Sequence, residues 1–169
     1  RCRFPGAQRE ARDLPIGDLG TGPDVGEQRV VLGARLATPW GQLSCFTTHL
    51  SWRLGEGYVR EAQVLALDAF VARFVQPGEL PALVVGDLNA TPEAAEIRFL
   101  TGLQTLGAPG HPPRSTAFAD AFAWAGSGTG ATFDRTRNPY ADEAHEPPRR
   151  IGVVQRLQRR RVVDLAERE

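Results

Sequence analysis

The chain has 169 residues, enough for one domain with a sizeable core. Its 41% hydrophobic and 24% charged residues are typical of a globular protein, and no apolar run is long enough for a transmembrane helix. Twenty basic residues, all arginine, balance twenty acidic ones, so net charge gives no support for a nucleic-acid partner. The N-terminal segment lacks the apolar core of a signal peptide, and localisation stays open between the cytoplasm and secretion.

The sequence contains no methionine and begins at Arg1. We therefore expect a fragment, a processed chain or an incomplete gene model, so that catalytic residues can lie outside it. Cys2 and Cys45 do not match the spacing of a metal-binding pair. Cys45 is expected to be a small buried apolar residue of a strand.

Residues 1–28 are rich in glycine, proline and charge, which predicts loop. Residues 29–37 and 42–50 are rich in β-branched residues and flank TPWG, which predicts a β-hairpin with a four-residue connection. Residues 58–75 carry apolar side chains at helical spacing, which predicts a helix with one buried face. On that helix Arg60 is expected to face water. The apolar positions are Val64, Leu67, Phe70, Val71 and Phe74.

The second half of the chain continues the alternation of strands and helices. Residues 81–87 form a short apolar run typical of a strand covered on both faces. Thr91 is then predicted as the N-cap of a helix that runs to Leu100, with proline at its first position. Residues 118–126 predict a short helix or strand, and residues 149–154 a strand. These elements predict an α/β fold.

Three polar side chains are placed where two predicted strands end. Asp87 and Asn89 follow the apolar run, and His49 ends the second strand of the hairpin. Ligands of α/β proteins bind at the carboxyl ends of strands, so these residues are candidates for a site. The alternative is an Asx-type turn, in which the same polar groups satisfy nearby backbone groups.

An ordered set of motifs carries a family resemblance. Its members are FTTHL (46–50), Arg60 and Gln63 as RxxQ, ALVVGDLNATP (82–92), DAF (120–122), ATFDRTRNP (131–139) and RRI (149–151). The set resembles the endonuclease/exonuclease/phosphatase superfamily, which comprises metal-dependent phosphodiesterases and phosphatases related to DNase I. The resemblance covers about residues 29 to 151. It implies a four-layer α/β sandwich of two mixed sheets with the site at one edge, incomplete in this chain.

The resemblance also implies a role for each candidate residue. His49 would contact the scissile phosphate and stabilise its developing charge. Asp87 would orient or deprotonate the attacking water and approach a divalent cation, Mg²⁺ or Mn²⁺, in the intact protein. Asn89 would help to hold the phosphate or that water. Such catalysis depends on positioning and electrostatic stabilisation, since the phosphoryl transition state carries spread negative charge.

Four further residues are weaker candidates. Asn138 lies in the loop before RRI, which the resemblance places near substrate; a turn before proline is the alternative. Asp120 is expected to be a structural cap or turn rather than a catalytic residue. Trp40 and Trp52 flank the His49 strand and are expected to be partly buried, with substrate contact as an alternative for Trp52.

Three elements of the family pattern are missing. No strand upstream of His49 carries the glutamate that serves as principal metal ligand. Gly152 and Val153 stand where RRI is normally followed by Asp-Tyr, so the sequence departs from the pattern after Ile151. The closing Ser-Asp-His is also absent. Since a divalent cation needs several oxygen ligands, we expect little or no activity from this chain.

The leading hypothesis is therefore a fragment of a divalent-metal-dependent phosphoester hydrolase that uses direct attack by water. The alternative is a non-catalytic binding or scaffold domain that retains the fold. We expect a core over residues 29–154, a loop-rich remnant of the same domain over 1–28 and a charged tail over 155–169. The arginine-rich run 149–161 is expected to be solvated, with phosphate or nucleic-acid binding as the alternative. The substrate is a phosphoester of unspecified type, and a monomer is expected.

Overall fold

The computed structural model describes residues 16–21, 27–107, 116–138 and 147–157. The strands in these ranges are β1 (Ile16–Thr21), β2 (Gln28–Thr38), β3 (Gly41–His49), β4 (Leu80–Asp87), β5 (Phe118–Asp120) and β6 (Gly152–Leu157). The helices are α1 (Gly57–Phe74), α2 (Ala95–Leu100) and α3 (Ala121–Ala125), with a 3-10 turn at Leu54–Glu56 before α1. None of these described helices is long and apolar enough to cross a bilayer.

The described strands form one mixed sheet in the order β1-β2-β3-β4-β6-β5. Strands β3 and β4 are parallel, and every other neighbouring pair is antiparallel. Helix α1 connects β3 to β4, as parallel strands require a crossover. The mixed sheet with its helices confirms the predicted α/β fold.

The hairpin of β2 and β3 is confirmed, but its connection is shorter than predicted. Thr38 pairs with Gly41, so the turn contains only Pro39 and Trp40 instead of four residues. Trp40 is 74% exposed at this turn. The expectation that Trp40 is partly buried is therefore wrong, because a turn beyond the end of the sheet has no layer to pack on.

Helix α1 packs against one face of the sheet, as its apolar spacing predicted. Val64, Leu67 and Val71 are buried, and the Phe46 ring of β3 meets Phe70 and Phe74 edge-on at centroid distances of 5.9 and 5.2 Å. Edge-to-face contacts of this kind add to the stabilisation from burial.

The prediction that Arg60 faces water is wrong. Arg60 is buried on the same side of α1 as the apolar stripe, where it pairs with Glu96 of α2. A helical spacing of four residues places it above Val64, and the pairing that makes its burial tolerable comes from another helix.

Strand β1 corrects the prediction of loop over residues 1–28. It pairs with β2, and Leu19 is buried. A Cβ added at Gly17 would lie 2.6 Å from the Phe70 ring and 2.8 Å from Val31. Glycine therefore allows this strand to approach α1, although a glycine-rich segment in the sequence predicts loop. Residues 1–15 and 22–26 lie outside the described residues.

Helix α2 begins at Ala95, not near Thr91. Residues 91–94 form a turn in which the Ala94 amide donates to the Thr91 carbonyl at 3.0 Å. Ala94 is the N-cap residue, and no side chain caps the helix. The predicted Thr91 cap is wrong, since proline at the next position serves equally well in a turn.

The last described elements refine two further predictions. Residues 118–126 contain both a strand (β5) and a helix (α3). Strand β6 extends to Leu157 and lies between β4 and β5, so residues 155–157 belong to the sheet and not to a solvated tail. Residues 158–169 lie outside the described residues.

Two candidate residues, His49 and Asp87, share the sheet face that α1 does not cover. Successive side chains of a strand point to opposite faces. Because Phe46 and Val84 lie under α1, the other face carries the rows Ala34–Cys45–Leu83 and Leu32–Thr47–Val85, followed by His49–Asp87. We call this the second face of the sheet. Most of its side chains are half-buried.

Gly86, one residue before Asp87, allows the close approach of β4 to β3. Its φ is +141°, and a Cβ added there would lie 2.0 Å from the Thr48 carbonyl oxygen. Only glycine fits this backbone conformation without strain.

Gly86→Ala is expected to lower the free energy of unfolding by about 3 kcal/mol or more, since both the dihedral angle and the contact become unfavourable. Gly55→Ala is the matched control, because an added Cβ has open space there, and it should change stability by less than about 1 kcal/mol. Urea unfolding followed by circular dichroism measures both. Equal stability of the two variants would contradict the described approach of the strands.

Candidate active site

The parallel register of β3 and β4 brings the two strand-end candidates together. His49 and Asp87 are directly paired across the two strands. The His49 Nε2 and Asp87 Oδ2 atoms are 4.0 Å apart, and the side chains are 57% and 42% exposed. An imidazole and a carboxylate at this spacing can bind one small ligand between them. The structure therefore brings His49 and Asp87 into one site that solvent reaches.

Asn89 follows Asp87 through a tight turn. The Asn89 amide donates to Asp87 Oδ1 at 2.9 Å, and Asn89 has a φ of +49°. Its side-chain Nδ2 donates to the Leu50 carbonyl at 3.0 Å. These are the local hydrogen bonds that the Asx-turn alternative predicted. The turn and the site are thus built from the same residues.

Backbone contacts hold the two strand ends against each other. The Leu50 amide donates to the Asp87 carbonyl, and the Leu88 amide donates to the Ile151 carbonyl, both at 3.0 Å. Gly152 of β6 pairs with Asp87 on the side away from β3. Asp87 therefore lies between two strands, and its backbone position is determined from both sides.

Thr132 fixes the segment that follows α3 beside this strand end. Its Oγ1 accepts from the Ile151 and Gly152 amides, each at 2.9 Å. Nothing in the motif ATFDRTRNP singles out Thr132. Its partners lie nineteen and twenty residues away, so local pattern carries no signal for this contact.

Asn138 lies at the end of the same segment. It is exposed, and its backbone amide donates to the Asp134 carbonyl at 2.9 Å. The turn that was the alternative for Asn138 is therefore present. A role in substrate binding stays a prediction.

Asp120 is confirmed as a structural cap. Its Oδ1 accepts from the Phe122 and Ala123 amides at the start of α3, and its two oxygens accept from Arg150 at 3.0 and 2.6 Å. Burial works to raise the Asp120 pKa, but the hydrogen bonds from Arg150, Ala123 and Phe122 and the charge of Arg150 together outweigh it. The pKa is therefore lowered from its usual value.

Trp52 and Cys45 depart from expectation. Trp52 is 54% exposed beside the site, with the Arg53 guanidinium 5.6 Å from its ring centroid, so its predicted partial burial is wrong. Cys45 is half-buried on the second face, and burial raises the pKa of its thiol. A raised pKa leaves little reactive thiolate near neutral pH.

The whole pattern matches a known family. The model of the endonuclease/exonuclease/phosphatase family matches residues 3–151. The chain belongs to this family. Its members include nucleases, phosphatases and phosphodiesterases. The match begins 26 residues before the region in which the motifs carry the resemblance, and it includes β1.

Solved structures of this family share the fold. An endonuclease/exonuclease/phosphatase from Bacteroides vulgatus has a TM-score of 0.61 and 21% identity over 86% of this chain and 53% of its own. Truncated TDP2 from Caenorhabditis elegans has a TM-score of 0.57 and 18% identity over 90% of this chain and 53% of its own. The human Nocturnin catalytic domain, with bound sulfate, has a TM-score of 0.55 and 18% identity over 86% and 47%. The chain spans about half the length of these structures. It matches none of the curated proteins.

Asp120→Asn is expected to destabilise the protein in a pH-dependent way. A carboxylate whose folded pKa is lowered contributes stability above its unfolded pKa of about 3.9, and this contribution is lost as the pH falls through the folded pKa. The urea midpoints of wild type and variant should therefore differ most at neutral pH, and the difference should shrink below about pH 4. Glu93→Gln, on an exposed carboxylate, is the control. A difference that does not change with pH would contradict the charged pairing with Arg150.

Proposed function

We propose that the intact protein hydrolyses a phosphoester by direct attack of water, with His49, Asp87 and Asn89 in its site. The observation that carries the proposal is the pairing of His49 with Asp87 at the open end of two parallel strands. Membership of a family of phosphoester hydrolases supports the reaction class.

Asp87 is proposed to orient the attacking water and to accept its proton. Its Oδ1 is engaged by the Asn89 amide, while Oδ2 lies on the side of His49. The bond at Oδ1 fixes the plane of the carboxylate, so Oδ2 can hold a water in a constant direction. A general base requires this kind of fixed geometry.

His49 is proposed to donate a hydrogen bond to a phosphate oxygen. Its Nε2 is the atom on the Asp87 side, so a phosphate bound by Nε2 would lie next to the water held by Asp87. Charge that develops on the phosphate oxygens would then be stabilised as the water attacks.

Asn89 is proposed as the second donor to the phosphate. Its Nδ2 gives one hydrogen to the Leu50 carbonyl, and a carboxamide nitrogen carries two hydrogens. The bond to Leu50 therefore sets the direction of the amide group and leaves the second hydrogen for an oxygen of the substrate.

The described residues do not complete a site for a divalent cation. Asp87 is one candidate ligand, and the described part of the chain contains no group of three or more His, Cys, Asp or Glu residues that could hold a metal ion. Mg²⁺ prefers a nearly octahedral set of oxygen ligands. Dependence on Mg²⁺ or Mn²⁺, with Asp87 as a ligand, is proposed for the intact protein only, and no step is derived through the metal.

Two further residues are proposed to contact substrate. Trp52 is exposed three residues after His49, so its ring can cover an apolar part of a substrate bound there. Asn138 is exposed on the segment that Thr132 attaches beside Asp87. The type of phosphoester is left open.

The second candidate function is a non-catalytic binding or scaffold domain. One observation favours it: Asp87 Oδ1 and Asn89 Nδ2 both make hydrogen bonds that a purely structural turn would make. Such a domain would keep the fold and the turn without turnover.

The 169-residue chain is expected to hydrolyse bis-p-nitrophenyl phosphate in Mg²⁺ at close to the uncatalysed rate. The same assay on a chain expressed with its flanking coding sequence is expected to show turnover that Asp87→Asn and His49→Gln each reduce by about 100-fold or more. Both substitutions remove a proposed catalytic group and leave the backbone pairing in place.

Asp18→Asn is the matched control, since Asp18 is an exposed carboxylate on the edge strand β1, which β2 separates from β3. It should leave the rate unchanged. Robust turnover by the 169-residue chain, abolished by Asp87→Asn, would contradict the expected inactivity. No turnover by the extended chain, although it folds and binds phosphate, would favour the binding domain.

A further inference from the structure

A buried polar network lies directly behind the candidate site. Gln63 of α1 makes two hydrogen bonds to Ser51, accepting from its amide through Oε1 and donating to its Oγ through Nε2, both at 3.0 Å. Arg60 Nη1 donates to the carbonyls of Ser51 and Arg53 at 3.2 and 2.8 Å. Arg60 Nε donates to Glu96 Oε1 of α2 at 2.6 Å. Ser51, Arg60, Gln63 and Glu96 are all buried.

The side chains of Arg60 and Gln63 hydrogen-bond the backbone directly after the site residue His49. Ser51 follows Leu50, whose amide bonds the Asp87 carbonyl and whose carbonyl accepts from the Asn89 side chain. His49 precedes Leu50 in the chain. Residues 50–53 therefore connect to Asp87 and Asn89 on one side, and to α1 and α2 on the other.

Stability alone is a weak reason for this arrangement. Burying an arginine and a glutamate costs desolvation that their attraction only roughly offsets, and an apolar pair of similar size is often as stable. An apolar pair cannot hydrogen-bond the backbone, whereas Arg60 and Gln63 together make three hydrogen bonds to the backbone of Ser51 and Arg53, and Gln63 makes a fourth to the Ser51 hydroxyl. The fork of Arg60 and the amide of Gln63 fix both the position and the orientation of residues 51–53.

We propose that Arg60, Gln63 and Glu96 are positioning residues of the site: by holding residues 50–53, they keep His49 opposite Asp87 and set the direction of the Asn89 amide. The proposal rests on the proposed function for the use of the site, but the geometry it describes can be measured without turnover.

The test uses the full 169-residue chain and two-dimensional NMR. In Gln63→Leu, the amides of Leu50 and Ser51 should exchange with solvent about tenfold faster relative to the other amides of β3 and β4, because a local opening is made easier. Ser51→Ala, which removes a single hydroxyl and is the milder change, should give a smaller effect in the same direction.

Inorganic phosphate is the probe of the site. The shift it causes in the His49 imidazole signal should fall by at least about half in Gln63→Leu. The chain has three histidines, and His49→Gln assigns the signal.

Ser44→Ala is the matched control. Ser44 is a buried serine of β3 whose hydroxyl donates to a buried acid, Glu79. It lies about 16 Å along the strand from His49. This variant should leave the relative exchange of Leu50 and Ser51 and the phosphate-induced shift as in wild type.

Two results would overturn the proposal: a uniform rise in exchange across β3 and β4 in Gln63→Leu, which is the mark of lost global stability, or unchanged exchange at Leu50 and Ser51. If phosphate does not shift the His49 signal of the wild type, the proposed phosphoester site fails, and the exchange comparison still decides whether the network positions residues 50–53.

Discussion

The pairing of β3 with β4 is the constraint on which the rest of the structure depends. Phe46 and Val84 lie opposite each other in this register, and both are buried under α1. A slip of one residue would move every side chain of a strand to the other face. It would expose this core and separate His49 from Asp87. The close contact between Gly86 and the Thr48 carbonyl reinforces the same register one residue before the site. Core packing and site geometry therefore have a common cause.

Sequence patterns predicted those parts of the fold that are decided locally. The apolar period of α1 and the apolar run of β4 gave both elements within one residue of their observed bounds. Strand β1 was not predicted because its glycines indicate loop. Gly17 is needed for the close packing of the strand against Phe70, which lies more than fifty residues later in the chain. The start of α2 was misplaced because threonine followed by proline suits a turn as well as a helix cap. His49 and Asp87 were identifiable as strand ends, whereas the pairing of Arg60 with Glu96 joins two helices 36 residues apart and leaves no local pattern.

The turn and the site, which are alternative interpretations of Asp87 and Asn89 in the sequence, are compatible in the structure. The turn uses one oxygen of Asp87 and one hydrogen of the Asn89 amide. A carboxylate has a second oxygen, and a carboxamide nitrogen has a second hydrogen. The structural bonds thus hold each group in one orientation while leaving it able to bind a ligand. Groups held in this way need little rearrangement when a ligand binds, which is the general condition for effective catalysis.

The position of the site on the second face bears on how a cation could be bound. Helices α1 and α2 belong to the opposite side, with the core built around Phe46, Val84 and Ile97. Apolar rows of half-buried side chains, Leu32 and Ala34 among them, continue the face that carries His49 and Asp87. A further layer packed on these rows would bury apolar surface, which is favourable. It would also reach the edge of Asp87 that faces away from α1. Such a layer is therefore one source of the ligands that would complete a metal site with Asp87, because Arg60, Gln63 and Glu96 behind the site are engaged with one another and with residues 51 and 53.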